Sequence, residues 1–240
     1  MTTTGPTSDD GAEMGLGRCG HLRVRGPART GSVGHDLGCT VFRTTLNELK
    51  AHAPFTFLGA LTAIAVMGVS LCAHVPRPMF ETLFWALHPS HVFLSALVTA
   101  GMYRLHGRGR LRATLLIGYF GSIGIGSLSD CVIPYVGEML LDMPNRGIHL
   151  GFIEKWWLVN PLALAGVVLA YWRPTTRFPH AGHVLLSTWA SLSHIVMALG
   201  QGFGFGSVVV IVLFLFVAVW IPCCTSDIAF PLLFVTGGKQ

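Results

Sequence analysis

The chain has 240 residues, 52% hydrophobic and only 11% charged, with a formal net charge of +5 and a mean hydropathy of +0.60. Soluble domains carry about 25% charged residues, so this composition excludes an ordinary soluble fold and points to a bilayer protein. In such a chain a modest positive charge anchors loops at the membrane surface and gives no argument for nucleic-acid binding.

Residues 1–44 are rich in Gly, Thr, Ser and Arg and lack the apolar core of a secretory signal, so they read as a disordered cytoplasmic tail. Cys19, His21, His35 and Cys39 lie there without a zinc-site signature. The six cysteines (19, 39, 72, 131, 223 and 224) fit neither paired CxxC motifs nor a disulfide framework. Thr45 and Glu48 have the spacing of a capping box, where a hydroxyl and a carboxylate satisfy free N–H groups at a helix start.

Six apolar spans follow, at about the 20 residues a bilayer requires: 55–75, 86–105, 112–134, 155–172, 179–200 and 207–235. The second is preceded by VPRPMFETLFWALHP, which reads as a short interfacial helix of its own. The third continues past Pro134 toward Leu141. The sixth is long enough to need a break near Pro222 or Pro231. Trp156, Trp157, Tyr171 and Trp172 flank the fourth span as interfacial aromatics do.

Charge then orients the spans. With the N-terminus inside, 13 of the 16 Lys and Arg fall on the inner side, and only Arg77, Arg146 and Lys155 fall outside. Short inner loops such as YRLHGRGR carry the bias that sets topology, so both termini are expected in the cytoplasm.

The chain also repeats itself. HPSHVFLSALVTA from residue 88 and HAGHVLLSTWASLSH from residue 180 share His, His, Val, Leu and Ser at one spacing, 92 residues apart. Ser129-Asp130 with Pro134 recurs as Ser226-Asp227 with Pro231. Two motifs in the same order imply duplication: residues 45–141 form one three-helix unit and 142–240 the other. Three spans per unit is odd, so the second enters from the opposite face. The expected fold is therefore an all-α membrane protein of six transmembrane helices in a 3+3 inverted-topology repeat, an architecture typical of secondary transporters.

On a helix, His180, His183, Ser187, Ser191 and His194 step by three or four residues and share one face. His88, His91, Ser95 and Thr99 form the matching stripe, with Met102 where His194 stands. Asp130 and Asp227 are the acidic residues expected deep in apolar helices. Insertion scales charge about 2.5–3.5 kcal/mol for each, which marks both as functional candidates. Imidazole and carboxylate together suit a divalent ion of the zinc, nickel, cobalt or iron class, with His88, His91, Asp130, His180, His183 and Asp227 as candidate ligands and Ser95, Ser187 and His194 beside them.

Glu138, His149 and Glu154 flank the outer loop between the third and fourth spans, where they could attract cations, but a solvated loop is the preferred reading. Cys223 and Cys224 read as buried small residues; Ser127 aligns with Cys224, which excludes a symmetric thiol site. The functional expectation is a small proton-linked permease for a divalent cation in the plasma (inner) membrane. Lipid is its surroundings, and its small size points to a homodimer. The rivals are a membrane-embedded metal-dependent hydrolase, a carrier of an organic or anionic solute, and a protein whose polar stripe only joins helices. No P-loop, Rossmann fingerprint, GxSxG elbow or HExxH site is present.

Overall fold

A long apolar segment has few ways to satisfy its own backbone, and a helix does so within a single segment. The computed structural model follows that rule. It describes residues 50, 53–54, 56–69, 72–73, 75–106, 110–174, 177–199 and 205–235, with the side chains of 177–181, 205–208, 224–229 and 232 outside the description. The N-terminal tail with its Cys and His residues and the Thr45–Glu48 cap lie outside the described residues, as do the side chains of His180, Cys224, Ser226 and Asp227.

The described residues are helical and contain no strand. The helices are α1 (Thr56–Val69), α2 (Arg77–His106), α3 (Leu111–Ser127), α4 (Ile133–Leu140), α5 (Gly151–Glu154), α6 (Trp156–Trp172), α7 (Arg177–Ala198) and α8 (Phe205–Leu233). A π-turn over Leu128–Val132 joins α3 to α4. Two stretches, Arg77–His106 and Leu111–Leu140, are long and apolar enough to cross a membrane; 30 residues of helix measure about 45 Å.

Two expectations about proline fail. The lead into the second span is not a separate helix, because α2 runs from Arg77 straight through Pro89. Nor is α8 broken at Pro222 or Pro231. A proline removes one backbone hydrogen bond, and packing against neighbouring helices holds the helix together across the gap. Pro89 is itself buried, between His88 and His91 on the packed side of α2.

α2 is central and touches α3, α5, α6, α7 and α8. Its main partner is α7, and the two run antiparallel. Leu94 faces Gly182, His91 faces His183 and Phe84 faces His194, so numbers fall on α2 as they rise on α7.

The remaining helices pack by exchange. α6 lies on α2 and α3. Its Gly166 sits so close to α2 that a Cβ there would come within 2.4 Å of the Phe93 carbonyl oxygen and 2.9 Å of the Ala96 methyl. Val167 and Ala170 continue this contact against Ala96, Leu97 and Ala100. α1 crosses to the other side. Its Gly59 lies against Thr188 of α7, and Ala63 and Met67 pack with Leu192, Ile195 and Ala198 of α7 and Ile211 and Leu215 of α8. The Trp189 indole donates to Thr62 Oγ1 at 3.2 Å. Small residues at these crossings let helix backbones approach closely.

Candidate metal centre

The π-turn aims the chemistry. In an α-helix the Ile133 N–H would reach Ser129; here it bonds the Leu128 carbonyl, five residues back. Such bulges insert one residue into a turn and recur at functional sites. Asp130 stands in the middle of this one, fully buried.

Its carboxylate takes four hydrogen bonds. Oδ2 faces His88 Nδ1 at 2.9 Å and His91 Nδ1 at 2.7 Å. Oδ1 accepts from Ser187 Oγ at 2.7 Å and from Ser129 Oγ at 2.9 Å. An ionised carboxylate only accepts, so both imidazoles present Nδ1–H to it and keep the lone pair on Nε2. A carboxylate behind a histidine is the arrangement that orients imidazoles toward metals. Ser191 Oγ donates to the Ser129 carbonyl at 3.0 Å and fastens α7 to the π-turn.

On the far side of His91, Nε2 lies 3.9 Å from Cys223 Sγ. The His91 ring lies on the His183 ring, centroids 5.4 Å apart and planes 11° apart. The Cys223 thiol donates to Ser187 Oγ at 3.4 Å, which links this side to Asp130. Two fully buried groups can therefore hold a metal ion, His91 with His183 and Cys223, and His88 with His91 and Asp130; in each, the ligand atoms lie within 4.8 Å of one another. The first group has the better chemistry. Tetrahedral zinc at about 2.0 Å from nitrogen and 2.3 Å from sulfur sets those two atoms about 3.6 Å apart and two imidazole centres about 5 Å apart. The observed 3.9 Å and 5.4 Å are a few tenths of an ångström wider, and the near-parallel rings would have to turn for both in-plane lone pairs to meet one ion. His91, held by Asp130 on one nitrogen, is free to ligate with the other.

The structure thus brings His88, His91, Asp130, His183 and Ser187 together. Ser95 is buried on α2, while His180 and Asp227 lie outside the described side chains. His194 is elsewhere. Its Nδ1 pairs with Glu138 Oε1 at 2.7 Å, near the opposite end of α7 from His183.

That pair overturns the reading of Glu138 as a loop residue. Glu138 is fully buried, so Asp130 is not the only acid buried among the described residues. Continuation of the third helix past Pro134 to Leu140 carries Glu138 into the core, where His194 hydrogen-bonds its carboxylate. Cys223 is buried as expected, but it stands beside His91 and not merely among apolar neighbours. Sequence reasoning missed it because the duplicated segment has Gly126 at the matching place, 97 residues earlier.

Comparison with protein-family models, with curated proteins and with solved structures returns no match.

Proposed function

We propose that the chain is a multi-pass membrane carrier that moves a divalent metal cation in exchange for protons, built as a 3+3 inverted repeat with both termini in the cytoplasm. One observation carries the reading: His91 meets His183, and the two are the same position of the repeat, 92 residues apart. When two copies are related by a two-fold axis, a residue that touches its own counterpart lies on that axis. Inverted-repeat carriers bind substrate at the repeat interface, near mid-membrane. His91 is the midpoint of α2, 14 residues from Arg77 and 15 from His106.

The helix crossings support the same two-fold. Gly166 on Ala96 corresponds to Gly59 on Thr188, and Ala96 and Thr188 are again 92 residues apart. Ala170 packs with Ala100 as Ala63 packs with Leu192, at the same offset. Gly126 abuts Val92, and Cys223 packs with Val184. The antiparallel course of α2 and α7 agrees with an inverted relation. Leu213, Val217 and Ile221 turn an exposed apolar stripe outward from α8, and Leu116 and Phe120 do so from α3. Apolar faces of this kind suit lipid and would be a liability in water.

The chemistry follows from the donor set. His91, His183 and Cys223 offer nitrogen and sulfur to a borderline ion of the zinc, cobalt or nickel class. Binding requires neutral imidazole and thiolate, so protons and metal compete for the same atoms. Rocking of one half against the other about the His91–His183 contact would expose the ion to either face, with protons displacing it on the acidic side.

The test is a flux measurement. Purified protein in liposomes holding a zinc-sensitive dye should take up Zn²⁺ when a pH gradient is imposed, and a His91→Ala/His183→Ala variant should not. Stoichiometric zinc binding without flux would overturn the carrier reading. It would favour a membrane-embedded metal-dependent hydrolase instead. One observation already leans that way: the donor set is asymmetric, with Cys223 opposed by Gly126, as a single catalytic site requires.

A further inference from the structure

A second group of histidines and acids lies where α4 ends, α7 ends and α5 begins. It shares no residue with the central donor set. Glu138 Oε1 accepts from His194 Nδ1 at 2.7 Å, and Glu138 Oε2 accepts the Gly147 N–H at 3.2 Å. His149 Nδ1 faces Glu154 Oε2 at 3.4 Å. Each histidine is therefore backed by a carboxylate on Nδ1, and each keeps Nε2 for another partner.

His194 is buried to 1% exposure, and its Nε2 has no hydrogen-bond partner among the described residues. A buried nitrogen left unpaired costs free energy unless something binds it. The nearest candidate to share that something is His149, whose ring centre is 5.4 Å from that of His194, with the planes 65° apart. Two imidazoles on one tetrahedral zinc have centres about 5 Å apart. The two described cations nearest in sequence are engaged elsewhere. Arg146 is paired with Asp142 at 3.1 Å, and Lys155 lies over the Trp85 ring. His149 and Glu154 are 31% and 41% exposed, which gives an ion a way in.

We propose that His194 and His149 form a second binding site for a divalent ion of the zinc or cobalt class, and that Glu138 and Glu154, each on an Nδ1, orient the two imidazoles toward it. Phe84 separates the two sites. Its ring stacks on His88 at 5.3 Å and meets His194 edge-on at 5.3 Å. The site stands whether or not the protein transports.

Co²⁺ is the probe, because tetrahedral cobalt bound by nitrogen and oxygen has visible absorption that reports site and stoichiometry together. The full chain, stripped of metal in detergent at pH 7.5, is titrated as wild type, His149→Ala, Glu154→Gln and His91→Ala/His183→Ala. The first two variants alter partly exposed side chains and leave the core intact. Wild type should bind one equivalent more than His149→Ala, and Glu154→Gln should weaken that equivalent at least tenfold. The same equivalent should persist in His91→Ala/His183→Ala, which separates this site from the central one. Equal cobalt binding by wild type and His149→Ala would overturn the proposal, as would a wild type that binds none. A wild type that binds only the equivalent removed by His149→Ala would support this site while refuting the central one.

Discussion

Replacing Asp130 by Asn tests whether the carboxylate orients the histidines of the central site. The side chain keeps its size and one oxygen. That oxygen can still face His88 and His91, and the new amide can donate to Ser129 and Ser187, whose hydroxyls can turn to accept. The helix contacts therefore survive, and what is lost is the negative charge that fixes both Nδ1–H groups and raises the basicity of His91 Nε2. Loss of an outer-shell carboxylate typically weakens metal binding about 10- to 100-fold, or about 1.4–2.7 kcal/mol. The assay is a competition titration of purified protein against a chromogenic zinc chelator at pH 7.5, with monodispersity checked for each variant. His91→Ala, which removes a ligand atom as well, should lose more. Zinc affinity within twofold of wild type in a folded Asp130→Asn protein would refute the orienting role and with it the preferred donor set.

Gly151→Ala would bring a Cβ within 2.5 Å of His88 Cδ2 and Nε2; it should lower stability by about 1–3 kcal/mol in a thermal unfolding assay, whereas Gly124→Ala, with open space around it, should be neutral. Gly166→Ala meets the Phe93 carbonyl oxygen at 2.4 Å, and because backbone cannot turn aside, its melting temperature should fall at least as far as that of Gly151→Ala. Central-site zinc should be retained at pH 7.5 and released at pH 5 in a dialysis experiment, since added protons occupy the ligand nitrogens and the thiolate. Cys223→Ser should cost more affinity for Cd²⁺ than for Mn²⁺ in parallel titrations, because a hydroxyl replaces the soft thiolate.

How far the sequence led can be judged from particular residues. The helix expected at 155–172 is α6 at Trp156–Trp172, because its aromatic ends bound an apolar run in which Asn160 is the one polar residue. The stripe of His183, Ser187, Ser191 and His194 is buried as one face, since helical spacing alone decides which residues share a side. Its two ends nevertheless serve different groups, His183 beside His91 and His194 beside Glu138. Periodicity gives the face of a helix but not what stands opposite at each level. Glu138 was hidden for that reason: its partner is 56 residues away, and it has no counterpart in the repeat to draw notice. The π-turn was hidden too, because an extra residue in one turn leaves no mark in an apolar pattern, although the Pro134 signal pointed to the right place.

The exchange of α1 and α6 has a consequence for how the chain is made. During synthesis α1 emerges first, but the surface it fits, around Thr188 and Leu192 of α7, does not yet exist. Meanwhile the groove of α2 at Ala96 and Ala100 stays uncovered until α6 arrives. Neither half completes itself, and each supplies the other's missing stave. A chain severed between Leu140 and Gly151 would yield two fragments that are each unfinished alone and stable only when produced together.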